Sequence, residues 1–471
     1  MQTTPATSLS EIIYTLSPEP LITPEQLAAF YCEQVNDVRG KDRVKRLELR
    51  LNQSFKRLPC KAFLMGHPGV GKSTELTRLI HQVEDKFCTI RIEADKVLDQ
   101  NHFKTFDVLL LMMSELFERT AHPVAAGGTD WHPPAGLLRK IKDWLASETT
   151  IRTQKTELGM ALEAGAGADK KSLWQQILGL FASLKGEIKY ASTREKKVVE
   201  YRLSRLDSLI DLANQLLDDC NQHLLQASQQ EWLFIWENFD KGGFSPLQTE
   251  ELFLSHGKVF RDLRTHLIFN LPISLGYSSR AVQLPPFLEV TIPDTPVFQP
   301  DRTPHARGRE VLTAVLEARV QPELFEPGQM MRLIVASGGN LRDLFVLCAD
   351  AADSALLREA KTIDAVDVEA AIADLRVKYR NGLGQSEFDA DKIAYDDKAV
   401  QLTRIYHQEE EAKIPDPVLY SLLLSRAVLE FNGERWFGVH PLVVDILEDQ
   451  KRIEPDAGGR VRGGTRWHPT P

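Results

Sequence analysis

Hydrophobic residues along this chain form short apolar runs in its first part and longer helical patterns in its last part. Five short runs have the length of buried strands, at residues 62–65, 88–93, 232–236, 266–270 and 287–292. Helical stretches separate these runs, and strands that alternate with helices are typical of a parallel sheet. The pattern therefore predicts an α/β fold with a parallel sheet.

The gap between the second and third predicted strands is unusually long, and we interpret residues 121–228 as a helical insertion. It contains a Gly/Ala-rich break at 164–168 and ends in a long helical pattern. Apolar residues of that pattern recur at spacings of three and four, at Leu203, Leu206, Ile210, Ala213, Leu217, Cys220 and Leu224. Such a stripe fits either a coiled-coil seam or a helix that packs on its own domain.

After Arg302 the pattern becomes helical. It predicts helices at about 308–319, 328–337, 341–358 and 365–379. The looser segment 381–395 is a plausible linker. One short helix is expected around Pro24–Gln34, within an otherwise mixed N-terminal segment at 1–38.

Two more helices, near 397–407 and 416–424, precede an apolar pair of strands. These strands surround Asn432 and Gly433, a dipeptide that favours the positive φ of a tight hairpin. Two helices and a hairpin predict a winged-helix-like module at 396–450. The Gly/Arg/Pro-rich tail at 451–471 is expected to be disordered.

Composition narrows the class of protein. The 471 residues carry a net charge of −9, with 43% hydrophobic and 26% charged residues, which excludes a wholly disordered chain and a disulfide scaffold. The five cysteines form no CxxC pair, so we expect reduced thiols and no zinc site. The longest wholly apolar run, Val108–Met113, is too short to cross a membrane. We therefore expect a cytoplasmic protein without a membrane partner.

One segment carries a specific chemical signal. Gly66 to Ser73 match G-x-x-x-x-G-K-[ST] at every fixed position, between a predicted strand and a predicted helix. Glycines let backbone N–H groups surround phosphates, Lys72 would neutralise the β- and γ-phosphates, and the Ser73 hydroxyl would bind Mg²⁺. The sequence therefore predicts a nucleotide site formed by Gly66, His67, Pro68, Gly69, Val70, Gly71, Lys72, Ser73 and Thr74.

A phosphate-binding loop needs an acid at the end of a neighbouring strand to hold the metal. Glu237 is the first residue beyond the apolar run 232–236, which makes it the best candidate for a metal ligand together with Ser73. Asp240 could serve instead, or could act beside it as a general base. A solvated acidic strand end is the alternative.

Three polar residues are further catalytic candidates beside Lys72, Glu237 and Asp240. Asn270 ends a predicted strand, where its amide could orient the attacking water or merely cap a turn. Arg280 lies between the last two strands and could reach the nucleotide of a neighbouring subunit. Arg342 begins a helix and could contact the γ-phosphate of its own subunit. Each arginine could also be a plain surface charge.

Taken together, these segments resemble AAA+ ATPases of the broad group that contains STAND signalling ATPases and origin-recognition initiators. The resemblance rests on the Walker A sequence GHPGVGKS, the Walker B sequence WLFIWENFD, the sensor 1 sequence LIFNLP, the sensor 2 sequence GGNLRDLFVLCADAA and the lid sequence TIDAVDVEAAIADL. It implies a P-loop ATPase core at 39–305, a helical lid at 306–380, and ATP and Mg²⁺ as cofactors. One departure is Asn238, where such proteins usually have a second acid, and it argues against fast hydrolysis.

The function expected from these features is an ATP-dependent switch that controls a protein partner or its own assembly. An alternative is a DNA-binding initiator that uses the module at 396–450, but its second helix at 417–424 is mostly apolar. Another is a slowly hydrolysing scaffold that assembles a separate effector through 121–228, for example in anti-phage defence. That last example rests on family analogy alone.

Overall fold

The computed structural model describes residues 3–40, 42–121, 132–152, 170–193, 196–241, 243–384, 392–431, 436–455 and 461–466. Its centre is a parallel sheet with the strand order β2-β3-β4-β1-β5. The strands are β1 (Lys61–Gly66), β2 (Phe87–Glu93), β3 (Glu231–Glu237), β4 (His266–Pro272) and β5 (Leu288–Thr291). The predicted α/β fold with a P-loop sheet is therefore confirmed.

Helices cover both faces of this sheet. One face packs against α4 (Arg43–Ser54) and α5 (Lys72–Val83), whose leucines and valines meet the buried side chains of β1 and β3. Short helices complete this part of the chain: α1 (Ile12–Thr15), α2 (Pro24–Phe30), α3 (Gln34–Val38) and α6 (Ala94–Val97).

The other face carries the insertion. Helix α7 (Thr105–Ala121) precedes it, and the described helices of the insertion are α8 (Ala135–Arg152), α9 (Lys170–Lys189), α10 (Lys196–Ser204) and α11 (Leu206–Ser228). The apolar stripe of α11 is buried against α7, α8 and β3, so this helix packs on its own domain and the stripe is not a free coiled-coil seam. The Gly/Ala-rich break at 164–168 lies outside the described residues. After β3 the chain forms α12 (Pro246–Glu250) and α13 (Gly257–Asp262).

Four helices follow the sheet where the sequence predicted them. They are α14 (Ala306–Glu317), α15 (Gln329–Ala336), α16 (Leu341–Leu357) and α17 (Ala365–Gly382). The N-terminal segment packs on this bundle, because Ala6 pairs with Val320 and Leu9 and Ile12 are buried in the same apolar cluster. The first residues therefore belong to the helical lid rather than to a separate arm.

The C-terminal module consists of α18 (Tyr395–Tyr406), α19 (Pro417–Leu424), the antiparallel strands β6 (Val428–Phe431) and β7 (Trp436–Val439), and α20 (Pro441–Asp449). The predicted hairpin dipeptide, Asn432 and Gly433, lies outside the described residues. None of the described helices is both long and apolar enough to span a bilayer.

The expectation of disorder across the tail is wrong for residues 461–466. Val461 is buried, and Asp445 of α20 accepts a hydrogen bond from the Thr465 backbone nitrogen at 2.8 Å. Arg466 also forms an ion pair with Asp449. A Gly/Arg-rich composition did not reveal these contacts, because the polar ones are made with other elements such as α20 and Tyr406 rather than within the tail.

Two glycines of the lid test how tightly it packs on the core. Gly339 has a φ of +86°, and a Cβ atom there would lie 1.6 Å from the carbonyl oxygen of Thr295. Gly328 has a φ of +82° with no atom within 4 Å of such a Cβ. We expect Gly328→Ala to lower the free energy of unfolding by about 1 kcal/mol through backbone strain, and Gly339→Ala by roughly 2–4 kcal/mol because the clash adds to it. Urea unfolding of both variants measures this, and equal losses would contradict it.

Candidate nucleotide-binding site

A cavity of about 770 Å³ lies at the carboxyl edge of the sheet, where β1, β3 and β4 end. Its size is within the range of small-ligand sites. It is lined by the phosphate-binding loop, the ends of β2, β3 and β4, helix α6, the end of α14, the start of α16 and the N-terminal segment. Of the nine predicted nucleotide-binding residues, Gly69 to Thr74 line the cavity.

The loop geometry requires glycine at two positions. Gly69 has a φ of +94°, and a Cβ atom there would lie 2.3 Å from Asn340 Oδ1. Gly71 has a φ of +98° and precedes the first residue of α5. Because side chains are absent there, the loop can press against the lid while the N-terminus of α5 faces a ligand site suited to phosphate.

The other three predicted residues support the loop from behind. The side chain of His67 is fully buried, and its Nδ1 lies 3.4 Å from Asp294 Oδ2 rather than in the cavity. The carbonyl oxygens of Gly66 and Pro68 accept hydrogen bonds from Lys72 and Asn340. Their contribution is therefore the shape of the loop.

Lys72 is held at the cavity wall by three oxygens. Its Nζ donates to the carbonyl oxygens of Gly66 (2.7 Å) and His67 (2.8 Å) and lies 2.6 Å from Asp240 Oδ2. Burial lowers the pKa of Lys72, and the Asp240 carboxylate opposes that shift. A phosphate that binds Lys72 would therefore replace Asp240 as the partner of this lysine.

Glu237 also has a cationic partner. Its buried carboxylate accepts a hydrogen bond from Arg91 Nε, on the neighbouring strand β2. The next residue, Asn238, has a φ of +70°, and its amide donates to Asp95 Oδ1 at 2.7 Å. Arg91 of β2 and Asp95 of α6 were not predicted, because nothing local in the sequence marks which residues there face the end of β3.

Asn270 and Arg342 both line the cavity, whereas Arg280 does not. Asn270 is buried at the end of β4, and its Oδ1 has no hydrogen-bond partner in the described part of the chain. Arg342 is tied to the loop by its backbone nitrogen, which donates to the carbonyl oxygen of Gly69 at 3.2 Å. Arg280 is exposed, and its guanidinium donates to Gln283 and Ser255.

The N-terminal segment forms a wall of the site that the sequence reading missed. The backbone nitrogen of Leu21 donates to Thr74 Oγ1 at 3.2 Å, and Tyr31 donates its hydroxyl to Glu75 Oε1 at 2.8 Å. Burial and the Glu75 charge raise the pKa of that tyrosine, so it remains a donor. The buried Arg39 donates to the carbonyl oxygen of Val70 at 2.9 Å. These residues form no recognisable motif.

Aromatic side chains also line the cavity. The guanidinium carbon of Arg319 lies 5.0 Å from the ring centroids of both Phe30 and Phe345. Cys32 and Val315 also line the cavity. A planar aromatic base suits such surroundings.

A buried polar network connects the loop with the lid and the C-terminal module. Asn340 Nδ2 donates to the carbonyl oxygen of Pro68 and to Asp294 Oδ1, both at 3.0 Å. Three residues further on, Asp343 accepts hydrogen bonds from Tyr379 (2.6 Å) and from Arg426 of the C-terminal module (2.9 Å). Only two side chains of the lid, Asn340 and Asp343, thus lie between Pro68 of the loop and Arg426 of the module.

His440 completes this network. Its ring stacks on Tyr379 with 4.1 Å between centroids, and its Nε2 lies 3.2 Å from the carbonyl oxygen of Ser337. Burial lowers the pKa values of both His440 and His67 to about 3, so both rings are neutral near pH 7. Burial also raises the pKa of Asp294 to about 6.

The metal predicted for this site fits it only together with a nucleotide. Among the described residues, no group of three or more His, Cys, Asp or Glu side chains could hold a metal ion. Mg²⁺ commonly binds through one or two protein oxygens, with phosphates and waters as the other ligands. Ser73 and Glu237 both line the cavity, and the hydroxyl of Ser73 and the carboxylate of Glu237 would supply such oxygens.

Protonation of the unfolded chain is expected to destabilise the protein at acid pH. A histidine with a lowered pKa contributes stability above its unfolded pKa of 6.5, and this is lost as the pH falls toward 3. Asp294, whose pKa is raised, has the opposite sign, since its contribution is lost as the pH rises through about 6. From pH 7.5 to 5.5, His67 and His440 each cost roughly 1.4 kcal/mol and Asp294 returns roughly 0.8 kcal/mol.

The variant His440→Gln is expected to reduce this loss by about 1.4 kcal/mol. Urea unfolding at pH 7.5 and 5.5 measures it, with the surface residue His102 changed to Gln as the matched control. A pH dependence of His440→Gln equal to that of the wild type would contradict the burial argument.

No protein-family model and no curated protein sequence matches the chain. Several solved structures are similar to it at low identity. The Aeropyrum pernix ORC1 protein in complex with DNA is 14% identical with a TM-score of 0.37, covering 93% of this chain and 87% of that one. The Walker-type ATPase PABY2304 of Pyrococcus abyssi is 12% identical with a TM-score of 0.40, covering 92% and 99%.

A third similar structure is Cdc6p from Pyrobaculum aerophilum, 13% identical with a TM-score of 0.36, covering 93% of this chain and 97% of that one. Identities and scores this low carry no argument about activity or partners. What this chain does must therefore be argued from its own cavity and side chains.

Proposed function

We propose that this protein binds ATP and acts as a slowly hydrolysing, nucleotide-dependent switch of the AAA+ type. The observation that carries the proposal is the convergence of Gly69–Thr74, Asn270 and Arg342 on one cavity. These residues come from β1 and α5, from β4 and from the lid. A ligand that touches all of them would fix the lid relative to the sheet.

The charged residues suit a triphosphate. Lys72 and the N-terminus of α5 would bind the β- and γ-phosphates, and Arg342 would reach the γ-phosphate from the lid. Asn270 is placed to orient a water through its unpartnered amide oxygen. Asp240 is the remaining candidate for a general base. Mg²⁺, when bound through Ser73 and Glu237, would supply charge neutralisation to the phosphates.

Slow hydrolysis is favoured by the pairing of the site acids. Glu237 is engaged with Arg91, and Asp240 is engaged with Lys72 until a phosphate takes its place beside that lysine. Asn238 stands where a second acid is usual and is bonded to Asp95. A carboxylate engaged with a cation is a poor base, because the cation stabilises its deprotonated form.

The buried network supports a role in signalling between the nucleotide and the C-terminal module. Arg342 belongs to the same helix turn as Asn340 and Asp343. A shift of this turn would therefore change the contacts of Arg426 and His440 as well as those of the loop. We propose that the module transmits this shift to a protein partner or to another copy of the chain.

DNA recognition by the module is less well supported. Its second helix, α19, buries Leu419, Leu422 and Leu423 and packs on residues Ile273–Tyr277 of the core. A recognition helix needs exposed polar and basic side chains to read a groove. A steep salt dependence of binding to duplex DNA would favour this alternative.

Removal of the loop lysine tests the proposal directly. Lys72→Ala is expected to weaken ATP binding by roughly 100-fold, about 2.7 kcal/mol, because a buried cation facing the phosphates is lost. Lys96→Ala is the matched control, since Lys96 also borders the cavity but is exposed and paired with Glu93. Calorimetric titration measures both, and equal affinities of Lys72→Ala and the wild type would refute the ATP site.

Catalysis between subunits gives a second test. If Arg280 completes the site of a neighbouring copy, ATP turnover per subunit rises with protein concentration, and Arg280→Ala abolishes the rise. Arg307→Ala is the control, because Arg307 is a similarly exposed arginine of the lid. Turnover that stays independent of concentration in all three proteins would remove Arg280 from the mechanism and favour the scaffold alternative.

A further inference from the structure

Arg91 occupies an unusual position between the phosphate-binding loop and the predicted metal ligand. Its Nη1 donates to Thr77 Oγ1 at 3.0 Å and its Nη2 to the carbonyl oxygen of Ser73 at 3.4 Å, while its Nε donates to Glu237. The first two turns of α5 thus hold this guanidinium in place. Because the guanidinium group is planar and all three of its nitrogens donate hydrogen bonds, its position has little freedom.

Burial makes the pairing with Glu237 strong. The side chain of Glu237 is 2% exposed, and that of Arg91 is 27% exposed. A carboxylate removed from water needs a countercharge, and Arg91 meets that need without a metal ion. Any cation that binds Glu237 must therefore displace Arg91 or share the carboxylate with it.

Three other acidic side chains nearby are engaged as well. Asp95 accepts from Asn238 and pairs with Lys241, Glu93 pairs with Lys96, and Asp240 pairs with Lys72. Arg91 itself lines the cavity, on the side where the phosphates would lie. The site thus contains fixed positive charge at the place where a P-loop protein normally relies on its metal.

We propose that Arg91 is a positioning residue that competes with Mg²⁺ for Glu237, so that nucleotide binding by this chain depends little on Mg²⁺. This inference rests on the proposed ATP site. Binding without metal would leave hydrolysis, rather than nucleotide affinity, as the step that Mg²⁺ controls.

The test compares the affinity for a non-hydrolysable ATP analogue in Mg²⁺ and in EDTA. We expect the wild-type dissociation constants to differ by less than about tenfold, and the ratio to increase about tenfold in Arg91→Gln, where Glu237 has lost its countercharge. Arg91→Lys, which keeps the charge, is expected to stay near the wild type. Lys96→Gln is the matched control, because it removes a cavity cation that does not touch Glu237.

Glu237→Gln provides a second variant that leaves Arg91 intact. It removes the carboxylate for which arginine and metal compete, so the two dissociation constants are expected to become equal. A wild-type ratio of roughly 100-fold or more that Arg91→Gln leaves unchanged would overturn the inference while the ATP site stands. Absence of binding in both Mg²⁺ and EDTA would instead refute the proposed function.

Discussion

Asn340 is the side chain on which the arrangement of core, lid and loop depends. Its amide nitrogen donates to the phosphate-binding loop at Pro68 and to Asp294 in the connection between sheet and lid. Its amide oxygen accepts a hydrogen bond from the backbone nitrogen of Asp343 and so caps α16. A buried amide must satisfy its donors and its acceptor at once, so the loop, the connection and the helix start can meet in one geometry only.

The glycines next to Asn340 follow from the same constraint. Gly339 lies directly against the carbonyl group of Thr295, and Gly338 against the ring of His440. Both have positive φ values, as does Gly69 on the loop side. Around the Asn340 amide, the backbones at Gly69, Thr295 and Gly339 approach so closely that Cβ atoms on these glycines would clash. Glycine at these positions therefore lets the lid pack directly against the loop.

The electrostatics of the cavity are those of a site whose charges already have partners. Lys72 is paired with Asp240, and Glu237 with Arg91. Such pairing stabilises buried charges, but it also means that a ligand must exchange partners rather than meet free ones. Under the proposed function, this exchange of partners would accompany nucleotide binding.

The sequence by itself determined the elements and the loop. Hydrophobic periodicity placed the helices of the lid within a few residues, because a helix such as α16 buries one face whatever it packs against. The loop Gly66–Ser73 was recognisable because its chemistry is contiguous in the chain. Asn270 was found because parallel strands bring their carboxyl ends to one edge of the sheet.

Only the tertiary structure decided which distant residues meet at that edge. Three features join segments that lie far apart in sequence. They are the wall formed by Leu21, Tyr31 and Arg39, the pairing of Arg91 with Glu237, and the contact between Asp343 and Arg426. No local pattern encodes such pairs, because periodicity reports which face of an element is buried and not what covers it. The packing of residues 461–466 on α20 escaped prediction for the same reason: a polar segment becomes ordered when another part of the chain offers partners for its hydrogen bonds.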